Sequence, residues 1–273
     1  MAFGWAGSVA HRFGQAAVVA AFLSAPAFAD QNQPPATAPL SPACAVPADA
    51  IATPAPLPHL AALLPKSRTI HILAIGSSST YGIGASSEAQ SYPTQLESML
   101  ETDLKGVDVE IINRGIAGEV AETTAERITT EVALSKPDLV LWQLGTNDAL
   151  ERVPPEEFAA TVRSTVEWLK SQGIDVVLVG LQYTPLYAKD ANYFAIRQTL
   201  SKIAAQENVL YVRRYDAMQF IEHARANEQL MARDDFHLND LGYRCMAEHV
   251  ARAVVVNLFV KRTVKRAPAA TAE

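Results

Sequence analysis

Five short apolar runs rich in β-branched residues constrain the fold of this chain more than any other feature. They are TIHILAIG (69–76), VDVEIIN (107–113), DLVLWQLG (138–145), IDVVLVG (174–180) and NVLYVR (208–213). Continuous apolar runs of this length are typical of strands that are covered on both faces, as in a parallel sheet. Segments with helical spacing separate them. This alternation predicts a doubly wound parallel α/β sheet with helices on both faces.

The segments between the runs carry apolar stripes at helical spacing. The clearest stripe is Phe158, Val162, Val166 and Leu169, which follow one another at i, i+4, i+8 and i+11. Similar stripes run through 91–100 and 196–203, and a last helix is predicted over about 239–260. Because such stripes face the core of a protein, we expect these side chains to pack against the sheet.

The two ends of the chain differ from this alternating centre. Residues 1–29 have the pattern of a secretory signal peptide, with an apolar stretch and small residues before a cleavage site after Ala29. An uncleaved anchor is the alternative, although the stretch is short for a membrane span. Residues 30–62 are rich in proline and predict an extended linker, 63–262 the folded domain, and 263–273 a disordered tail. The protein is therefore expected to be periplasmic or secreted, with no integral membrane span after cleavage.

The charge of the chain argues against a nucleic-acid partner. The formal net charge is −6, and basic residues form only short clusters. One cluster is Arg213-Arg214 and the other is the tail around 261–266, and both are predicted to be solvated surface.

The chain has two cysteines, Cys44 and Cys245. In an exported protein they are a candidate disulfide, which would tie the N-terminal arm to the last helix. Two free thiols are the alternative that the sequence leaves open.

Four polar loops fall at positions that share one edge of the predicted sheet. GSSSTYG follows the first apolar run, NRGIAGE the second and GTNDA the third, while RDDFHLND precedes the last helix. Sites in such sheets lie at the carboxyl ends of the strands, so the loops that follow the strands are expected to share a crevice. Together the four loops carry the residue types that acyl transfer by a serine nucleophile requires.

Each of these residue types has a chemical reason to be there. A serine hydroxyl needs a base, and His237 can accept its proton near neutral pH. Asp234 can hold the other imidazole nitrogen. The Gly118 N–H and the Asn147 amide can stabilise the negative oxygen of the intermediate, and a serine that begins a helical turn adds its own N–H.

The four blocks resemble, in the same order, those of the SGNH hydrolases, also called GDSL-type esterases. The resemblance covers about residues 69–260 and implies a flavodoxin-like three-layer α/β/α sandwich with a five-stranded parallel sheet, without metal or cofactor. It implies a catalytic triad of Ser78, Asp234 and His237. It also implies an oxyanion hole formed by Ser78, Gly118 and Asn147.

The first block departs from the family pattern. Ser77 stands where the family usually has Asp, and three adjacent serines leave the register ambiguous. The positions of the neighbouring Gly and Thr residues favour Ser78 as the nucleophile, with Ser79 as the next candidate. The family's three-residue offset from His237 selects Asp234 over the adjacent Asp235.

The sequence thus predicts an exported serine esterase that acts on short acyl groups, acetyl above all, of a small-molecule or carbohydrate ester. The alternatives are a carbohydrate O-acyltransferase, a lysophospholipase or thioesterase, and a catalytically weak glycan-binding module of the same fold. The aromatic residues of GLQYTPLYAKDANYF (180–194) follow the fourth run. They are equally candidates for lining an acyl or sugar pocket and for packing a loop against the sheet.

Overall fold

A computed structural model describes residues 1–4, 37–225 and 227–258. The chain divides into two units, Met1–Gln33 and Pro34–Glu273, and the sheet belongs to the second. The described strands are β1 Ala52–Thr53, β2 Thr69–Gly76, β3 Asp108–Gly115, β4 Leu139–Gln143, β5 Asp175–Val179 and β6 Leu210–Val212. The predicted signal peptide beyond residue 4, the first part of the linker and the tail lie outside the described residues.

The strands lie side by side in the order β1-β6-β5-β4-β2-β3. Every pairing is parallel except that of β1 with β6. Counted without β1, the order is the 2-1-3-4-5 order of flavodoxin-like folds. The predicted five-stranded parallel sheet is therefore confirmed, with one short antiparallel strand added at its edge.

Helices connect and cover these strands. They are α1 Ala48–Ile51, α2 Pro58–Leu63, α3 Ser78–Tyr81, α4 Tyr92–Asp103, α5 Ala121–Ser135, α6 Thr146–Leu150, α7 Pro155–Ser171, α8 Ala191–Glu207, α9 Arg214–Ala224 and α10 Asp240–Leu258, with a 3-10 turn at Glu88–Gln90. The predicted stripe of Phe158, Val162, Val166 and Leu169 is buried along α7, as expected. β4 and β5 are buried along their whole length, which explains their continuous apolar sequences.

The prediction of an extended linker over 30–62 is wrong for its second half. Ile51, Leu57 and Leu60 are buried in the main core, and β1 extends the sheet by pairing with β6. The Asp175 carboxylate accepts hydrogen bonds from the backbone N–H groups of His59 and Leu60, at 3.2 and 2.9 Å. This segment cannot fold alone, but the sheet edge and the Asp175 carboxylate provide partners for its backbone.

A disulfide between Cys44 and Cys245 closes the arm onto α10. Both cysteines are buried, and the carbonyl oxygen of Cys44 lies 2.7 Å from His249 Nε2. The structure thereby decides between the two alternatives that the sequence leaves open. Within the described residues, no helix combines the length and apolarity that crossing a membrane requires.

The strand order places a crevice beside β2. The next parallel strand in the chain, β3, lies on one side of β2, and β4 lies on the other. Ligands of open α/β sheets bind at such a switch point, outside the carboxyl ends of the strands. The loops after β2, β3 and β4, which hold the predicted Ser, Gly and Asn, therefore surround one location.

Candidate active site

Three serines follow β2, and the structure gives them different surroundings. Ser77 precedes α3, and its backbone N–H and its hydroxyl both donate to Gln143 Oε1, at 3.1 and 3.0 Å. The Ser79 hydroxyl accepts a hydrogen bond from Arg214 Nη2 at 3.0 Å. These contacts hold the side chains of Ser77 and Ser79 inside the protein.

Ser78 is the first residue of α3, and its side chain has no hydrogen-bond partner among the described residues. The residue is 8% exposed, against 5% for Ser77 and 2% for Ser79. Its backbone N–H, like the others at the start of a helix, has no acceptor within the helix. The same residue therefore presents a hydroxyl group and an N–H group at the carboxyl end of β2.

The loop after β3 brings Gly118 and Glu119 next to α6. Gly118 has a φ of +83°, a left-handed conformation that favours glycine, and a Cβ atom there would meet nothing within 4 Å. Asn147 Nδ2 donates to the carbonyl oxygen of Glu119 at 2.8 Å. This bond holds the Asn147 side chain against the loop that contains Gly118. The amide has a second N–H, which this bond does not use.

Asp148 supports this loop, and sequence reasoning assigned it no role. It is 2% exposed, and its carboxylate accepts from the N–H groups of Ala121 at 2.8 Å and Gly145 at 3.1 Å. Burial raises the pKa of this carboxyl above its ordinary value, and the backbone hydrogen bonds oppose that shift. The contacts join the start of α5 to the start of α6 on either side of Asn147. The sequence did contain a signal for Asp148, because this residue directly follows Asn147 in the GTNDA loop.

Asp234 and His237 contact each other in the loop before α10. The Asp234 Oδ2 atom lies 2.6 Å from His237 Nδ1, and Asp234 Oδ1 accepts from the backbone N–H groups of Phe236 and His237 at 3.0 and 2.9 Å. The hydrogen bond with the His237 side chain is the main reason that the pKa of Asp234 is lowered to about 2. Asp235 has a left-handed backbone, with φ of +54°, and it is Asp234 that contacts the imidazole. The imidazole is thus held through Nδ1, and among the described residues its Nε2 atom has no hydrogen-bond partner.

Direct contacts join the loop after Ser78 to the segment that follows His237. The Tyr243 hydroxyl donates to the carbonyl oxygen of Ile83 at 2.6 Å. The Asp240 carboxylate accepts from the N–H and the hydroxyl of Ser86, at 2.8 and 2.6 Å. Among the described residues no hydrogen bond joins Ser78 to His237. Such bonds are often long before substrate binds.

The aromatic residues of 180–194 divide between packing and exposure. Tyr183 and Tyr193 are buried in the core, whereas Phe194 is exposed. Tyr187 stacks on Tyr193 and forms a T-shaped pair with Phe236. The ring centroid of Phe236 lies 5.0 Å from that of His237. The segment therefore packs mainly against the protein, and its aromatic layer supports the loop that carries His237.

The prediction that Arg213-Arg214 is solvated surface is wrong for Arg214. Arg213 is part-exposed and pairs with Asp216 at 2.8 Å. Arg214 is 2% exposed, and besides Ser79 it donates to Gln182 Oε1 at 2.9 Å. The sequence shows a cation at this position but not what covers it. Among the described residues, no group of three or more His, Cys, Asp or Glu side chains is arranged to hold a metal ion.

Several known proteins are similar to this chain. The model of the non-GDSL lipase-like family matches residues 43–258. An arylesterase of Vibrio mimicus is 28% identical over 191 residues, which are 68% of this chain and 89% of that protein. The esterase TesA of Pseudomonas aeruginosa is 26% identical over 167 residues, which are 61% of this chain and 78% of that protein.

Solved structures share the fold. The crystal structure of TesA superposes with a TM-score of 0.58 at 24% identity, over 67% of this chain and 97% of that one. A two-domain esterase (CEX) active on acetylated mannans gives a TM-score of 0.66 at 19% identity, over 84% of this chain and 61% of that one.

The matched family segment extends from the disulfide arm to the end of α10, and so includes every loop of the candidate site. The predicted kinship with SGNH hydrolases is confirmed, and GSSS in place of Gly-Asp-Ser accords with the family's description. The chain belongs to the non-GDSL lipase-like family.

Proposed function

We propose that this esterase cleaves esters of short acyl groups, acetyl above all, through a triad of Ser78, His237 and Asp234. The observation that carries the proposal is the 2.6 Å contact between Asp234 Oδ2 and His237 Nδ1, in the loop before α10, and α10 bonds directly to the segment that follows Ser78. An imidazole held in this way is the usual partner of a serine nucleophile. The names of two similar proteins, arylesterase and esterase TesA, support ester hydrolysis as the reaction.

In the proposed first step, the Ser78 Oγ attacks the ester carbonyl carbon. A bond forms between Oγ and that carbon, the carbonyl electron pair moves onto oxygen, and the hydroxyl proton passes to His237 Nε2. Asp234 keeps the imidazole in the tautomer whose Nδ1 carries hydrogen, and it stabilises the imidazolium that forms. The electron pair on the negative oxygen then re-forms the carbonyl, the bond between the carbon and the alcohol oxygen breaks, and His237 gives the proton to that oxygen, so the acyl group remains on Ser78.

The negative oxygen of the intermediate needs donors that are already in place. The N–H groups of Ser78 and Gly118 and the second N–H of the Asn147 amide are the proposed donors. Asn147 is held by Glu119, and Asp148 holds the surrounding loops, so the donors require little rearrangement when charge develops. Water then gives a proton to His237 Nε2 and attacks the acyl carbon, the bond between that carbon and Ser78 Oγ breaks, and His237 returns the proton to Oγ as the free acid leaves.

The substrate and the location are the finer parts of the proposal. Two structural neighbours are described as an esterase active on acetylated mannans and as an acetyl xylan esterase, which supports an acetylated carbohydrate as substrate. The disulfide supports export, because such bonds persist mainly in oxidising compartments.

The test is hydrolysis of p-nitrophenyl acetate by wild type, Ser78→Ala, His237→Ala and the matched control Ser79→Ala. We expect kcat/KM to fall by at least about 10³-fold for the first two variants and by less than about tenfold for Ser79→Ala. Circular dichroism and thermal unfolding show whether each variant is folded. A folded Ser78→Ala variant that keeps its activity contradicts the proposed nucleophile, and loss of activity in Ser79→Ala alone would assign the role to Ser79.

Substrate range is tested with the same preparations. A series of p-nitrophenyl esters should show the highest kcat/KM at acetyl or butyryl, and acetylated mannan and xylan should release acetate. A preference for long chains would favour a lysophospholipase or thioesterase. Acetylation of an added sugar in place of acetate release would favour an acyltransferase. An inert wild-type protein that binds glycan would favour the binding module.

A further inference from the structure

Arg214 places a guanidinium between the two halves of the proposed catalytic apparatus. Its Nη2 atom donates to Ser79 Oγ at 3.0 Å, one residue after the proposed nucleophile. The same nitrogen donates to Gln182 Oε1 at 2.9 Å, and Gln182 Nε2 donates to the carbonyl oxygen of Phe236 at 2.7 Å. Phe236 immediately precedes His237. Arg214 thus touches the turn of the nucleophile, and through one amide it also reaches the loop of the base.

The charge of Arg214 has no counter-ion among the described residues. None of the salt bridges there includes this residue, and its Nε and Nη1 atoms are buried without a hydrogen-bond partner in the same part of the chain. The ionisable groups that face it are the phenols of Tyr92, Tyr193 and Tyr243. Burial raises the pKa of Tyr92 to about 12 and raises the pKa values of the other two as well, so all three stay neutral.

Stability of the fold does not explain this arrangement. Burial lowers the pKa of Arg214, but an arginine remains protonated in proteins. A buried charge without a partner destabilises the folded state. Arg214 is also the first residue of α9, and a cation at the start of a helix opposes the helix dipole. Three features of Arg214 therefore destabilise the resting protein: the burial of its charge, the lack of a counter-ion among the described residues and its position at the start of α9.

We propose that Arg214 is a positioning residue whose unpaired charge stabilises the anionic intermediate of ester cleavage and whose hydrogen bonds align the Ser78 turn with the His237 loop. The inference rests on the proposed function. The free enzyme and a neutral ester give the guanidinium no counter-charge, whereas the negative oxygen formed beside Ser78 does. An interaction that is stronger in the transition state than with bound substrate raises kcat and leaves KM nearly unchanged.

The expected size follows from Coulomb's law. For a separation of about 8 Å between the guanidinium and the developing anion, an effective dielectric constant of about 20 gives an upper limit of about 30-fold in rate, because the imidazolium formed on His237 opposes part of the effect. We therefore expect Arg214→Met, which removes the charge, to lower kcat by more than about threefold and up to about 30-fold, with KM within about threefold. Arg214→Lys keeps a charge and should lose clearly less than the Met variant.

Binding of phenylboronic acid adds a readout that a purely structural role would not move. Its boron accepts Ser78 Oγ to form a tetrahedral anion, while the hydroxyl proton passes to His237, so the adduct resembles the intermediate. The Ki for phenylboronic acid should rise in Arg214→Met by the same factor by which kcat falls, with a smaller rise in Arg214→Lys. The proposal is overturned if a folded Met variant keeps kcat within threefold of wild type. It is also overturned if the Ki for the boronate does not change, or if Lys and Met lose equally.

Gln182 offers a second pair of variants in case Arg214→Met does not fold. Gln182→Glu gives the guanidinium a carboxylate partner, whereas Gln182→Leu removes the amide but leaves the charge unpaired. Both lose the hydrogen bond to Phe236, so the Leu variant is the matched control. We expect the Glu variant to have the lower kcat and the higher unfolding temperature, and equal kcat values would overturn the role of the charge.

The outcome separates this inference from the proposed function. If wild type is inert on esters, or Ser78→Ala and His237→Ala keep activity, the proposed function fails and the inference fails with it. If the triad variants lose activity but Arg214→Met does not, the inference alone is wrong.

Discussion

The disulfide between Cys44 and Cys245 should contribute a large part of the stability of this domain. It joins residues 201 positions apart, so breaking it frees nearly the whole folded chain in the unfolded state. The loop-entropy relation gives about 5 kcal/mol for a loop of this length. This value is an upper limit, because engineered disulfides often stabilise by less than the relation gives.

The other native contacts of the arm are expected to survive when the disulfide is removed, because they do not involve a cysteine side chain. Ser41 N–H donates to Glu248 Oε2 at 2.8 Å, and His249 Nε2 lies 2.7 Å from the carbonyl oxygen of Cys44. The arm should therefore remain docked, and the loss should be one of stability rather than of fold. For a domain of this size, about 3–5 kcal/mol corresponds to a fall in Tm of about 10–15 °C.

The assay is urea unfolding of wild type, Cys44→Ala, Cys245→Ala and the double variant. Either single substitution breaks the same bond, so each single variant should lose nearly as much stability as the double variant. This strong non-additivity is the signature of a shared interaction. Reduced wild type, checked by thiol titration, serves as the control without a substitution. Single losses that add up to the double loss, or a change below about 1 kcal/mol, would refute the reasoning.

Four further outcomes can be measured on the same enzyme. Asp234→Asn should lower kcat by about 10³–10⁴-fold, whereas Asp235→Asn, which changes the neighbouring carboxylate, should retain activity within a few fold. Gly118→Ala and Gly173→Ala should each cost about 1 kcal/mol, because both residues have positive φ, at +83° and +75°, and open space at the Cβ position. Only Gly118→Ala should also lower kcat, and equal kcat values for the two would argue against the oxyanion loop. Asp148→Asn should lower both kcat and unfolding temperature. It replaces one carboxylate oxygen by an NH₂ group, which cannot accept a hydrogen bond, so the N–H of either Ala121 or Gly145 loses its acceptor. The pKa of Asp234 is lowered to about 2, which is below its unfolded-state value of about 4. The ionised carboxylate therefore contributes fully to the free energy of unfolding above about pH 4, and this contribution is lost as the pH falls towards about 2. The Asp234 side chain is half exposed, and solvent weakens an exposed ion pair. The difference in free energy of unfolding between wild type and Asp234→Asn should therefore shrink by no more than about 1 kcal/mol between pH 5 and pH 2, as measured by urea titrations.

The sequence predicted the parallel sheet because strands of this type carry a local signal. The five apolar runs and the stripe of α7 depend only on neighbouring residues, and each appears in the structure within a few residues of its predicted bounds. The motif residues were also visible, since Asp234 and His237 lie three positions apart in one loop. Their catalytic roles remain predictions, although the structure brings these two side chains into contact.

The tertiary structure decided which polar and proline-rich segments are buried. The segment around Ile51 and Leu57 reads as a linker because its partners, β6 and α10, lie more than 150 residues further along the chain. Arg214 reads as surface for the same reason, since Ser79 and Gln182 cover it from 135 and 32 positions away. Local periodicity specifies an element and the side that faces inward. The counterpart of a charge, a thiol or an edge strand is chosen by chain packing over long separations, and no local pattern contains it.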